Sequence, residues 1–364
     1  MPFRLFANPR LGGSDTVTLP DAEYQTAKAV ITAWKAYAPT PLCELPEVAR
    51  DANVAAIRLK NEAGRFGLGS FKALGAAYAV ARAPVHARVV TCATDGNHGR
   101  AVAWGAQRFG RDCVIFVHEA VSQHRVDVIA RFGAEVRRVP GTYDDAVREA
   151  ARQADANGWH IVSDTSWPGY MRVPRLIMQG YRVMADEVAD QWRGDPPTHV
   201  FIQGGVGGVA AAVAVQTRAR FRPAPMVIVV EPDHAACLLA SAELGELTTV
   251  PGNLDTLMAG LACGEPSLLA WQELNHAAAA FMAIPDEAAV ACMRLLADGG
   301  IVGGESGVAG LAGCLLAAGD VAARATLGLD KSSRVLAFNT EGATDPGLYR
   351  RLVGRSADSV APPC

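Results

Sequence analysis

The sequence predicts an α/β protein built on mainly parallel sheets that are covered on both faces. Three observations carry this. Short β-branched runs are almost continuously apolar, they alternate with longer amphipathic or alanine-rich segments, and several end in polar, glycine-bearing turns. In chain order, the run 54–59 precedes a helix over 72–82, the run 89–94 a helix over 97–109, and the run 113–117 a helix over 122–132. The run 136–139 then leads to a helix over 143–156, 161–163 to one over 174–191, and 200–203 to one over 207–219. Runs 227–230 and 335–338 complete the strands, with helices over 286–297 and 307–318 between them. The segment 193–197, Arg-Gly-Asp-Pro-Pro, is the clearest turn cluster, 244–266 reads as irregular, and 356–364 reads as frayed.

At roughly 150 residues per domain, 364 residues predict about two domains, and a half-hydrophobic composition is ample for a buried core. A formal charge of -3 leaves no electrostatic excess for a nucleic-acid backbone or an anionic membrane, so a small-molecule partner is expected. The apolar runs 204–215 and 277–284 fall short of the roughly 20 residues that cross a bilayer. Segment 1–20 lacks the apolar core of a secretion signal, and the chain reads as cytoplasmic. Eight cysteines without C-x-x-C spacing argue against a zinc site. Cys237 and Cys263 lie near irregular segments and could approach one another, with two free thiols the favoured reading in a reducing compartment.

Five of the thirty-four basic residues are lysines, and one of them, Lys72, sits in the apolar, small-residue segment GLGSFKALGAAY. Burial lowers an amine's pKa and favours bonding to a carbonyl carbon, although a lysine there can equally carry its charge to the surface. TDGNHG (94–99) follows an apolar strand and opens a helix, the place where ligands bind in open parallel sheets. Asp95 or Asn97 can also be plain helix caps. QGGVGG (203–208) aims consecutive backbone amides and a helix N-terminus at one point, which suits a phosphate. Its Gly205, Gly207 and Ala210 also satisfy a dinucleotide fingerprint, with Glu231 where a ribose-binding acid belongs, so a nicotinamide dehydrogenase competes. Two further polar turns, 303–307 and 339–342, end apolar segments and could face one crevice or be ordinary capped turns. Asp164 follows the run 161–163 and stands near Trp167; a perturbed acid and an Asx-turn are both open.

Taken together, RFGLGSFKALGAAY (65–78), TDGNHGRAVAW (94–104), SDTSWPGY (163–170), IMQGY (177–181), TLMAGLACGEPS (256–267), GESG (304–307) and NTEGATD (339–345) resemble the fold-type II family of pyridoxal 5'-phosphate enzymes. Within it they are most similar to the branch that eliminates ammonia from 2,3-diaminopropionate. The resemblance implies two three-layer αβα domains with the cofactor in the cleft between them. The larger would comprise 1–69 with 171–364, and the smaller, inserted one 70–170.

By the same resemblance, Lys72 would hold the cofactor as a Schiff base, Phe71 would pack by its ring, Asn97 would bond its phenolic oxygen, and Gly204, Gly205, Val206, Gly207 and Gly208 would bind its phosphate. Thr340 is expected at the pyridine nitrogen, and Glu305 beside the cofactor. Asp95 stands where related dehydratases carry serine. With Asp164 it would hold the substrate's β-amino group, while Lys72 and Asp95 would serve as bases for opposite enantiomers. Elimination would give pyruvate and two ammonia, and a homodimer is usual for similar proteins. The pattern departs from the family at Pro168, where Glu is usual, and at Ala101, where Gly is usual. Dehydratase-like activity on a related β-substituted amino acid stays an alternative, followed by the dehydrogenase and by a paralogue that binds without turnover.

Overall fold

The computed structural model of the protein describes residues 1–12, 18–94, 96–141 and 143–360. Eleven strands are described in them: β1 (Arg4–Ala7), β2 (Leu42–Glu44), β3 (Ala56–Asn61), β4 (Val89–Ala93), β5 (Asp112–His118), β6 (Glu135–Val139), β7 (His160–Ile161), β8 (His199–Gln203), β9 (Met226–Pro232), β10 (Ala280–Ile284) and β11 (Arg334–Asn339). They form a seven-stranded sheet ordered β1-β10-β9-β8-β11-β3-β2 and a four-stranded sheet ordered β6-β5-β4-β7. Every pairing is parallel except β1 with β10 and β2 with β3, which close the two edges of the larger sheet.

Alternation along the central strands shows why both faces are covered. Val200, Ile202, Val229, Leu336 and Phe338 join one apolar cluster, whereas their neighbours Phe201, Ile228, Val230, Val335 and Ala337 join another on the opposite face. A strand flanked by helices on both sides has no face left for polar residues, hence the continuous runs. The small sheet repeats this: Val114 and Phe116 pack on Ala146 and Ala150 of helix Tyr143–Asn157, while Ile115 and Val117 face the main core. These are the layers that the resemblance implies.

Two glycines fix how the helices cross. A Cβ on Gly75 would stand 2.6 Å from the Ile177 carbonyl oxygen, and one on Gly180 2.1 Å from that of Leu74. Helices Ala73–Ala81 and Arg172–Gln191 therefore touch backbone to backbone.

The expected strand over 161–163 stops at Ile161, because the Tyr170 hydroxyl donates to the Ile161 carbonyl and accepts from the Ser163 amide, turning the chain out of the sheet. β10 lies within a stretch, AAAAFMAI, whose alanines carry no strand preference, and its strand character comes from pairing with β9. Cys237 and Cys263 are free thiols, and the Cys237 Sγ donates to the Gly205 carbonyl at 3.7 Å. No single helix among the described residues is long and apolar enough to cross a membrane.

Candidate active site

Both sheets turn the carboxyl ends of parallel strands toward one cleft of about 1030 Å³, its open mouth included. From the large sheet come the loop after β8 and Thr340 after β11; from the small one come Thr94, Gly96, Asn97 and His98 after β4 and Asp164 after β7.

Lys72 caps the N-terminus of helix Ala73–Ala81. The loop that delivers it is stapled to the chain after β11: the Phe71 amide donates to the Thr340 carbonyl at 3.0 Å, and the Gly342 amide to the Gly69 carbonyl at 2.9 Å. Lys72 Nζ donates to Asp164 Oδ2 at 2.6 Å and lies 5.4 Å and 6.0 Å from the ring centres of Phe71 and Tyr181. Burial alone would push the ammonium down, as the sequence suggested. Asp164 outweighs it and holds Lys72 above the usual lysine range, so the amine is a cation in this arrangement. Burial likewise pushes the Asp164 carboxyl up, but His98 and Lys72 beside it keep it well below the usual carboxylate range.

Gly207, at φ +94°, is the cap of helix Gly208–Arg220 and takes a backbone conformation that suits glycine. A Cβ on Gly205 would approach the Cys263 Sγ to 3.1 Å and the Leu261 Cα to 3.2 Å. Among the described residues, no acceptor takes the amide hydrogens of Gly205, Val206 or Gly207, which with the helix N-terminus leaves a nest of donors facing the cleft. Gly204 stands apart: it is not part of the lining, and a Cβ there would strike Leu238 and Val229 at 2.7 Å each. The acid of the dinucleotide fingerprint is spoken for. Glu231 is fully buried and accepts the Leu238 and Leu239 amides at 2.7 Å each, capping helix Cys237–Leu244, so neither oxygen is left for a ribose.

Thr340 Oγ1 accepts from Gln203 Nε2 at 2.5 Å, so its own hydrogen is left to donate into the cleft. Asn97 also lines the cleft, with both ends of its amide engaged: Nδ2 donates to Glu341, and Oδ1 accepts from Arg100 at 2.5 Å. Glu305 accepts from Arg125 at 3.0 Å, and burial together with nearby Glu341 pushes its carboxyl up. Asp95 lies outside the described residues. The cleft thus gathers Phe71, Lys72, Asn97, Asp164, Gly205, Val206, Gly207, Gly208, Glu305 and Thr340. Gln203, Tyr181 and Arg125 were not singled out in sequence. Gln203 had a signal, standing at the strand end just before the glycines, and Tyr181 closes the segment IMQGY, whereas nothing local marks Arg125.

The fold and this cleft define a cofactor-dependent α/β enzyme. Residues 33–336 match the family model for pyridoxal-phosphate dependent enzymes, and the chain belongs to that family. It is 40% identical to the diaminopropionate ammonia-lyase of Escherichia coli K12 over 358 residues, 90% of each chain. It is 37% identical to the same enzyme of Salmonella typhimurium LT2 over 365 residues, 88% of this chain and 90% of the other. The crystal structure of the Escherichia coli enzyme in complex with D-serine superposes with a TM-score of 0.90 at 35% identity, covering 99% of both chains. The cofactor is pyridoxal 5'-phosphate. The residues present fit it: unpartnered amides for a phosphate, an amine within the cleft, and a hydroxyl free to donate to a ring nitrogen.

Proposed function

We propose that the chain eliminates ammonia from 2,3-diaminopropionate, giving pyruvate and a second ammonia once the released product hydrolyses in water. The observation that carries this is the Lys72–Asp164 pair at 2.6 Å on the cleft wall, in a chain whose relatives are diaminopropionate ammonia-lyases.

Pyridoxal 5'-phosphate, when bound, supplies an electron-withdrawing ring bonded to the substrate's nitrogen, which acidifies Cα. The protein supplies the rest. Gly205 to Gly208 would hold the phosphate by backbone amides, Phe71 would pack beside the ring, and Asn97, on leaving Glu341, would offer its amide to the phenolic oxygen. A donating Thr340 hydroxyl suits an unprotonated ring nitrogen. Glu305 stands in the same cleft, its carboxyl pushed up by burial and Glu341 and drawn back by Arg125. Lys72 Nζ moves the Cα proton on one face of the substrate and Asp95 on the other. Asp164, kept ionised, holds the β-ammonium, a contact that a hydroxy amino acid does not offer.

Pyruvate and ammonia release from D- and L-diaminopropionate, compared with serine and threonine, tests the reading. Diaminopropionate is expected to win in kcat/KM, and a preference for either hydroxy amino acid would hand the chain to the dehydratases. Asp95→Asn should cost much more with the D-isomer than with the L-isomer, and equal losses would refute the two-base assignment.

A small unit over 70–170 is supported by the four-stranded sheet falling inside it, and closure of the cleft would exclude water. The family resemblance supports a homodimer, and the seven described cysteines, all free thiols, support a reducing compartment such as the cytoplasm.

A further inference from the structure

His98 is the second residue of helix Asn97–Arg108, and its ring is buried on the cleft wall. Nε2 lies 2.7 Å from the Val162 carbonyl oxygen, an atom that only accepts, so Nε2 carries a hydrogen. In a neutral ring Nδ1 is then bare. That nitrogen is buried, has no hydrogen-bond partner among the described residues, and faces Asp164 Oδ2 at 3.5 Å. A lone pair turned toward a carboxylate oxygen holds nothing in place.

The contact is tolerable while the Lys72 ammonium donates to that same oxygen at 2.6 Å. Burial pushes the His98 imidazolium down, Asp164 pulls it up, and the Lys72 cation pushes it down again. Once Lys72 Nζ is committed to the cofactor, Asp164 loses its short donor. Among the other titratable groups around it, Cys263 interacts with Lys72, and Tyr181, whose buried hydroxyl has no hydrogen-bond partner among the described residues, interacts with both Lys72 and Asp164. The Tyr170 hydroxyl is already spent on Ile161 and Ser163, and Cys92 is a fully buried thiol that burial keeps neutral. Nδ1 of His98, 3.5 Å from Oδ2 on a ring that the Val162 carbonyl holds in place, is positioned to take over.

We infer that His98 is a positioning residue acting through Asp164: when Lys72 is engaged with the cofactor, Nδ1 takes up a proton from solvent, donates it as a hydrogen bond to Oδ2, and keeps the carboxylate aimed at the substrate's β-ammonium. This rests on the reading of Asp164 given above. The Val162 bond fixes the ring, so that Nδ1 cannot turn away.

Two variants separate this role from plain packing. His98→Gln keeps a donor for the Val162 carbonyl and removes the group facing Asp164; His98→Asn does the reverse. In the loaded enzyme, His98→Gln should raise KM for diaminopropionate about tenfold or more, with the cofactor's visible absorption intact, and His98→Asn should recover most of that loss. Equal impairment of the two variants, or a His98→Gln enzyme that matches wild type while Asp164→Asn is impaired, would overturn the inference and leave the function standing. An unchanged KM in Asp164→Asn would instead sink the role given to Asp164. Nitrogen NMR of histidine-labelled protein decides the contact itself, whichever way the kinetics fall. Nδ1 of His98 should read as unprotonated in the cofactor-free enzyme and as a donor in the loaded one, and a bare Nδ1 in the loaded enzyme near neutral pH would end the proposal.

Discussion

Two of the five lysines are buried beside carboxylates, and their surroundings could hardly differ more. Lys60 Nζ donates to the Thr40 carbonyl at 2.7 Å, Glu187 at 2.6 Å and Gln191 at 3.0 Å. Arg65 closes the same cluster against Glu62 and Glu187, with Nη2 2.7 Å and 2.8 Å from their carboxylates, so the charges balance and the donors are used. Lys72 has one charged partner, an unpartnered histidine nitrogen nearby and a cleft beside it. The titrations diverge accordingly: burial wins at Lys60 and pushes it down, whereas Asp164 wins at Lys72 and pushes it up. A buried lysine is thus not in itself a sign of chemistry. What sets apart the lysine proposed to react is bonding capacity around it that the protein leaves unused.

The comparison predicts opposite failures. Lys72→Ala should cut pyruvate release by roughly a thousandfold or more while the protein stays folded; retained turnover would remove the distinction between the lysines. Lys60→Met should do the reverse, lowering unfolding free energy by about 3–5 kcal/mol in denaturant titration, because Glu187 and Glu62 are left sharing one cation. Activity per folded molecule should survive. A merely active-site effect at Lys60 would erase the contrast.

Smaller effects sharpen it. The folded Asp164 carboxyl sits below its ordinary 3.8, so as pH falls the unfolded chain takes up its proton first. Its contribution is present above about pH 4 and lost below, and Asp164→Asn should flatten that part of the cofactor-free enzyme's acid unfolding curve. In the glycine loop, Gly205→Ala should weaken cofactor binding by about 1–3 kcal/mol, since its Cβ would press on Cys263 and Leu261. Gly208→Ala should cost less, as its Cβ meets only Met178 at 3.6 Å and the Asp164 carbonyl at 3.8 Å. Equilibrium titration with the cofactor ranks the two.

The parallel strands were legible because burial on both faces demands unbroken apolar runs. β10 was not, since an alanine-rich segment becomes a strand only through the neighbours it finds. Lys72, Asp164 and the glycine loop each announced themselves by standing at a strand end or helix start, and the cleft does bring them together. Their pairing was invisible. Asp164 lies 92 residues from Lys72 and reverses the direction in which burial alone would move the amine. Likewise nothing in the sequence shows that Asn97 is held between Glu341 and Arg100, because those contacts depend on how the loop after β11 folds back.

The bare backbone crossing at Gly75 and Gly180 has a consequence for divergence. At those two points the helix that starts just after Lys72 meets its neighbour through peptide groups, so drift in the longer side chains around them has less leverage over where the amine sits. New substrate preferences can then arise on the walls of the cleft without disturbing the Lys72 amine, whereas a single methyl group at either crossing point would shift it at once.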